Sequence, residues 1–208
     1  MIAMLKMHFY LSRKVFITVF LFFLIMIGIQ WAIIKEANLG FGFLTLYFIA
    51  LSPALGVSYL LENHFINRFR VMPIDPKTFV KSLFIFSLLL MLIITVPIGI
   101  YQTYLYLNNQ MGGIELSLIS IVFAAGIASI GSMLKNYLSN PTKGTKSISI
   151  GTIIGYFFIF TFVHLLIMLI FSIMDIELIG APIAPVLGLI VYYRYFKTAI
   201  TKFKAAEF

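Results

Sequence analysis

The stretch SLFIFSLLLMLIITVPIGIYQTYLYL, residues 82–107, decides the fold of this chain because it contains no Asp, Glu, Lys or Arg. A bilayer core about 30 Å thick needs roughly 20 apolar residues at a helical rise of about 1.5 Å per residue. The same bias holds for all 208 residues, of which 62% are hydrophobic and 11% are charged. The mean hydropathy is +1.06, whereas soluble domains carry roughly a quarter of charged residues. The sequence therefore predicts an integral membrane protein.

Apolar runs bounded by charged residues predict an all-α polytopic membrane protein, with one transmembrane domain over residues 1–208. The predicted transmembrane helices are six: 15–34, 40–61, 82–107, 116–134, 148–174 and 180–196. The first run is too long for the apolar region of a signal peptide, and no small-x-small cleavage site follows it. We therefore interpret it as an uncleaved span. The loops are short and leave no room for a soluble catalytic domain.

The basic residues predict the orientation of these spans. Fourteen of the fifteen Lys and Arg residues fall on one side of the predicted topology, and Lys35 alone falls on the other. The fourteen are Lys6, Arg13, Lys14, Arg68, Arg70, Lys77, Lys81, Lys135, Lys143, Lys146, Arg194, Lys197, Lys202 and Lys204. Both termini and the basic loops are thus predicted to be cytoplasmic. Because the charges form short clusters between apolar runs, the expected electrostatic partner is an anionic lipid bilayer, and no nucleic-acid partner is expected.

Small residues, prolines and aromatics inside the spans predict how the helices meet. Pairs of small residues four apart, such as Ala184 and Gly188, favour close helix packing within the chain over a subunit interface. The other pairs are Ala125 with Ser129, Ala128 with Ser132, and Gly151 with Gly155. Pro53, Pro97, Pro182 and Pro185 are expected to kink or break their spans. Trp31, Tyr101, Tyr104, Tyr106 and Tyr192 lie near span ends and predict interfacial aromatic belts.

A search for catalytic and metal-binding motifs returns little, and we do not expect this chain to be an enzyme. It has no cysteine, no H-E-x-x-H and no G-x-S-x-G. The nearest approach to a phosphate loop, NPTKGTKS at residues 140–147, lacks both glycines that such a loop needs. His164 is the one ionisable side chain midway along a span, where it is a candidate pathway residue or a hydrogen-bonded neutral histidine. No metal site is predicted.

The most structured polar feature is the loop ENHFINRFRVMPIDPKTFVK, residues 62–81. Phe65, Ile66 and Phe69 fall on one face of a short amphipathic helix, and Arg68 and Arg70 lie largely on the other faces. Such a loop serves either to fix topology by its charges or to meet a partner.

The second half of the same loop carries signals that end one helix and begin another. Pro73 disfavours helical backbone at Met72, Asp75 is a suitable N-cap, and Pro76 suits the first helical position. The third span is therefore predicted to begin with a capped, sharply turned start. Upstream, the segment before residue 15 is expected to be an interfacial amino-terminal helix.

The chain resembles small permease subunits of the type 2 ATP-binding-cassette (ABC) exporter family. The resemblance lies in its length, its six-span layout, its interfacial amino-terminal segment and the turn RVMPIDPKTFVKSLF at residues 70–84. Within that family it is similar to the membrane subunits of phenol-soluble modulin exporters. It departs from the family pattern at Met72, where Leu is usual, and at Asp75 and Pro76, where a hydroxyl and a basic residue are common. The resemblance implies that the first cytoplasmic loop is a coupling helix, with Phe65, Ile66, Arg68, Phe69 and Arg70 as docking residues for a separate ABC ATPase.

From this resemblance we expect a permease subunit in a bacterial plasma membrane, working as a homodimer or as a heterodimer with a second permease. ATP and Mg²⁺ would bind the partner ATPase, and this chain would hold no cofactor. The apolar span interiors favour an amphipathic or lipid-like cargo, such as a membrane-active peptide. The alternatives are an ATPase-independent channel or secondary transporter, and a non-transport membrane protein of the immunity or sensor-associated kind.

Overall fold

The structure is a computed structural model that describes residues 1–34, 75–108, 113–139 and 177–205, with eight single positions between 155 and 170. Almost all of the described residues are helical, and none of them lies in a strand. Its four continuous helices are α1 (Ile2–Ile34), α2 (Pro76–Leu107), α3 (Gly113–Ser139) and α4 (Glu177–Ala205). The all-α prediction is confirmed for these residues. The predicted span 40–61 lies outside them.

Each described helix contains one predicted span and extends beyond it. At about 1.5 Å per residue, the 33 residues of α1 and the 32 of α2 measure about 50 Å, against about 30 Å for a bilayer core. Two stretches, Pro76–Pro97 and Ser120–Ser139, are long and apolar enough to cross a membrane by length and composition. In the predicted span 148–174, the described side chains Phe158, Ile159, Phe162, Val163, Leu166, Leu169 and Ile170 are all exposed.

α3 is the central helix of the described bundle. It packs against both α2 and α4, and its side chains are buried almost continuously from Ile121 to Leu138. Helix α4 approaches it most closely where Gly188 meets Ala124, because a Cβ placed on Gly188 would lie 2.8 Å from the Ala124 Cα. Ala184 is buried against the same helix. The prediction that the Ala184 and Gly188 pair serves packing within the chain is confirmed.

The relative directions of three helices follow from their side-chain contacts. Ala124 meets Gly188 and Gly131 meets Tyr192, so α3 and α4 run in the same direction. Phe79 stacks on Phe203 and Phe84 lies against Phe196 and Tyr192, so α2 runs opposite to α4. These are the relative directions that the predicted topology assigns to spans three, four and six. The number of spans and the cytoplasmic side of the termini stay predictions.

Two features of the described helices bear on expectations from the sequence. Pro97, Pro182 and Pro185 lie inside α2 and α4, so of the two expected effects, a kink or a break, the prolines do not break these helices. A proline removes one intrahelical hydrogen bond, whereas ending a helix in an apolar surrounding would leave several backbone groups without partners. The amino-terminal segment is helical, as predicted, and it is continuous with the first predicted span; its interfacial position stays a prediction.

Candidate functional site

The predicted docking residues Phe65, Ile66, Arg68, Phe69 and Arg70 lie outside the described residues, as does His164. The structure does describe the element that follows the predicted docking loop directly in the chain, which is the start of α2. Its first three turns contact α1 and α4, so we take this meeting of three helices as the candidate site.

The start of α2 is fixed by a side-chain cap. Asp75 has extended backbone angles, φ −60° and ψ 128°, and its carboxylate accepts hydrogen bonds from the Thr78 N–H at 3.1 Å and the Thr78 hydroxyl at 3.2 Å. Pro76 occupies the first turn, where its missing N–H costs no intrahelical bond. The predicted capped start of this helix is therefore confirmed.

The surroundings of Asp75 at the start of α2 favour the ionised form of its carboxyl group. Desolvation raises the pKa of its carboxyl, but several other effects outweigh it, and the net result is a lowered pKa. These effects are the hydrogen bonds from the Thr78 N–H, the Lys77 N–H and the Thr78 hydroxyl, and the charge of Lys204. A carboxylate at a helix N-terminus also faces the positive end of the helix dipole. Asp75 thus stays ionised, with the charge of Lys204 in the last turn of α4 as the smallest of these effects.

One turn further along, an aromatic contact joins the same two helices. The rings of Phe79 and Phe203 stack with centroids 5.7 Å apart and an interplanar angle of 28°. Both side chains are fully buried. The surface around them is strongly basic, since Lys77, Lys81 and Lys202 are exposed nearby in sequence. The end of α4 is therefore held against the start of α2 by an apolar contact beneath a charged surface.

On the other side of α2, a buried histidine joins α1 to the site. His8 Nε2 lies 3.0 Å from Ser82 Oγ, and the His8 ring also contacts Phe86 at a centroid distance of 5.4 Å. Ser82 donates its hydroxyl proton to the Phe79 carbonyl at 2.8 Å, so its oxygen is free to accept from His8 Nε2–H. His8 and Ser82 have no exposed surface.

This environment keeps His8 neutral. Desolvation by burial lowers the pKa of His8, which precedes the predicted first span, from 6.5 to about 4. A histidine next to a serine could activate a nucleophile, but here the serine proton is given to a backbone carbonyl and no substrate could reach it. The His8–Ser82 pair therefore joins two helices and has no catalytic geometry.

Deeper in the bundle, Tyr192 of α4 makes a polar contact with α2. Its hydroxyl donates to the Phe84 carbonyl at 2.5 Å and lies 2.7 Å from Ser87 Oγ. The prediction that Tyr192 belongs to an interfacial aromatic belt is wrong, because its side chain is only 7% exposed. Tyr104 is 61% exposed and can serve the predicted belt.

Sequence reasoning missed the residues that join the helices at this site. Met4, His8 and Ser12 follow one another at intervals of four and form the buried stripe of α1. That spacing was a readable signal, but polar residues at an amino terminus also suit an exposed interfacial helix. For Ser82, Ser87 and Tyr192 no local signal exists, since their partners lie 74 to 108 residues away in the chain.

Among the described residues, no group of three His, Cys, Asp or Glu side chains is placed to hold a metal ion. Comparisons of the chain with protein-family models, characterised proteins and solved structures found no match.

Proposed function

We propose that this chain is the permease subunit of an ABC exporter, driven by a separate ATPase that docks on the loop at residues 62–74. The proposal rests first on the resemblance of the turn at residues 70–84 and of the chain's layout to that family. The described structure supports it through one observation, which is how the start of α2 is held.

That observation is the anchoring of α2 directly after the predicted docking loop in the chain. The loop leads directly into the Asp75 cap, and α2 is then held by Phe203 of α4 and by His8 of α1 within its first three turns. A push on the loop would therefore act first on α2 and reach α4 and α1 through these contacts. This is what an ATPase-driven permease needs, because the energy is released on a different subunit.

The cargo we propose is amphipathic or lipid-like, such as a membrane-active peptide. Residues 82–107 of α2 and 116–134 of α3 carry no Asp, Glu, Lys or Arg. A pathway for charged solutes or protons ordinarily has ionisable groups at membrane depth. The described helices thus favour a cargo that brings its own apolar surface, moved by a dimer of this chain with itself or with a second permease.

The experiment is purification of the endogenously expressed chain in mild detergent, followed by identification of its partners and measurement of ATP hydrolysis. We expect a stoichiometric ATPase. Phe69→Asp should abolish its retention, because the substitution places a charge on the predicted apolar docking face. Asn67→Asp is the matched control, since it adds the same charge to the same loop on a different predicted face and should leave the complex intact.

The outcome also separates the other functions considered. Transport by the purified chain alone would identify a channel or secondary transporter. A partner without nucleotide-binding activity would indicate an immunity or sensor-associated protein. Either result, or equal loss of the ATPase in both variants, would contradict the docking proposal.

A further inference from the structure

An apolar groove runs between α2 and α4 on the outside of the described bundle. Its volume is about 250 Å³, and its lining surface is entirely apolar. Phe84 and Tyr192 form the buried floor, with ring centroids 5.1 Å apart. The Tyr192 hydroxyl turns away to Ser87 and the Phe84 carbonyl, so the groove meets only ring carbon.

The walls of the groove are partly exposed side chains from both helices. Ile85 and Leu88 contribute from α2, and Leu189 and Tyr193 from α4. From Lys81 to Leu88 the groove follows seven residues of α2, or about 10 Å. One leaflet of a bilayer core is about 15 Å deep. The groove therefore covers about two thirds of a single leaflet, starting from the basic end of the helices.

Two lysines flank the basic end of the groove. Lys81 is exposed and contributes only the carbon chain of its side chain to the apolar lining, so its ammonium group lies at the edge of the groove. Lys197 Nζ lies over the Tyr193 ring, 4.9 Å from its centroid, and so flanks the opposite wall. The described carboxylate near this end, Asp75, is occupied by Thr78 and interacts with Lys204. An occupant with a negative head at the lysines and an apolar tail along the groove would complement both features.

We propose that this groove binds an anionic phospholipid of the inner leaflet, with its phosphate at Lys81 and one acyl chain along Phe84 and Leu88. A zwitterionic lipid would fill the groove equally well but would gain less at Lys81, which contributes about 1 kcal/mol toward anionic lipid, or about a fivefold preference. The site does not depend on the export function.

Tryptophan quenching by brominated lipid tests this site, because Trp31 is the single tryptophan of the chain. In a Trp31→Phe background, Tyr193→Trp places the reporter on the groove wall. The variant is reconstituted in phosphatidylcholine vesicles containing either brominated phosphatidylglycerol or brominated phosphatidylcholine. We expect half-maximal quenching at an about fivefold lower mole fraction of the phosphatidylglycerol.

Three matched variants define the outcome. Lys81→Gln should remove the preference, and Lys202→Gln, which changes an exposed lysine outside the groove lining, should keep it. A reporter at Ile93, a 56% exposed position of α2 away from the groove, should show no preference between the lipids. Equal quenching by both lipids at Tyr193→Trp would overturn the proposal in favour of bulk lipid contact. Absence of quenching there would mean that protein covers the groove, which also overturns it.

Discussion

At the scale of single residues, the described helices are joined by a few polar side chains that are buried among apolar ones. His8 to Ser82 and Tyr192 to Ser87 each connect two helices by one directed contact. Apolar contacts between helices permit sliding, whereas a buried hydrogen bond fixes register because its loss leaves polar atoms without partners. We infer that these two contacts fix the register of α1 and α4 along α2.

The buried His8 predicts a stability change with pH. Its pKa is about 4 in the folded chain and 6.5 in the unfolded chain, so between those values only the unfolded chain binds the proton. Stability should therefore be unaffected above pH 6.5 and fall by about 3 kcal/mol in total as the pH is lowered to 4. Unfolding in detergent, followed by circular dichroism across this range, measures the effect.

The control for this prediction is His8→Gln, which can still donate to Ser82 but does not titrate. Its stability should lose most of the dependence between pH 6.5 and 4, while His64 and His164 are unchanged. The Asp75 carboxyl, whose pKa is lowered, should not contribute in that window. An unchanged pH profile in His8→Gln would show that another group is responsible.

Adjacent tyrosines in α4 give a matched test of the second contact. Tyr192→Phe removes a hydroxyl that contacts Phe84 O and Ser87, and we expect it to lower the free energy of unfolding by about 0.5–1.5 kcal/mol. Ser87 retains the Leu83 carbonyl as a partner at 3.0 Å, which keeps the cost in this range. Tyr193→Phe, at a 54% exposed position, should change stability by less than about 0.5 kcal/mol. Equal effects in the two variants would contradict the assigned role of Tyr192.

At the scale of helices, the sequence predicted the features that are set by contacts between residues close in the chain. The start of α2 was readable because Asp75, Pro76 and Thr78 interact within one turn. The sequence did not predict that α2 and α4 continue through their prolines, because this depends on the apolar surroundings of the whole helix. The docking residues and His164 stay predictions, since the described residues do not include them.

The Asp75 cap predicts a difference between two substitutions. Asp75→Asn retains a side-chain oxygen for the Thr78 N–H, whereas Asp75→Ala leaves that donor without its partner. We expect Asp75→Ala to have the lower melting temperature of the two and to weaken coupling of a bound ATPase. Thermal melts of both variants, with ATP hydrolysis measured in the assembled complex, test this. Equal melting temperatures would show that the cap contributes nothing to the start of α2.

The close approach of α3 and α4 predicts opposite effects for two glycine substitutions. Gly188→Ala places a Cβ 2.8 Å from the Ala124 Cα, so the helices must separate, and we expect a loss of about 1–3 kcal/mol. Gly99→Ala lies within α2 with no atom inside 4 Å of the new Cβ, so it should be neutral or stabilising by up to about 1 kcal/mol. Denaturation of both variants in the same detergent measures the difference. Similar losses would mean that the packing at Gly188 is not tight.

At the scale of the whole molecule, the helix directions agree with the topology predicted from charge. α3 and α4 are parallel and α2 is antiparallel to both. The predicted topology gives the same directions to spans four and six, and the opposite direction to span three. This agreement was predictable because Lys and Arg placement reports which side each span begins on. The distance between two packed helices could not be predicted, because it depends on which small residues of one helix contact those of the other.

The contact between Ala124 and Gly188 also bears on motion. Helices separated by long side chains can shear past one another, since those side chains can change rotamer, but at this contact Gly188 lies directly against the Ala124 backbone with no long side chain between them. We therefore expect α3 and α4 to behave as one rigid body, with any rearrangement confined to the boundary that α2 shares with them. The chain contains no cysteine, so spin labels at Lys135→Cys and Lys197→Cys can be placed without background. In the complex with the proposed ATPase, their separation should stay constant with and without nucleotide, while the separation of a label pair at Lys77→Cys and Lys135→Cys should change.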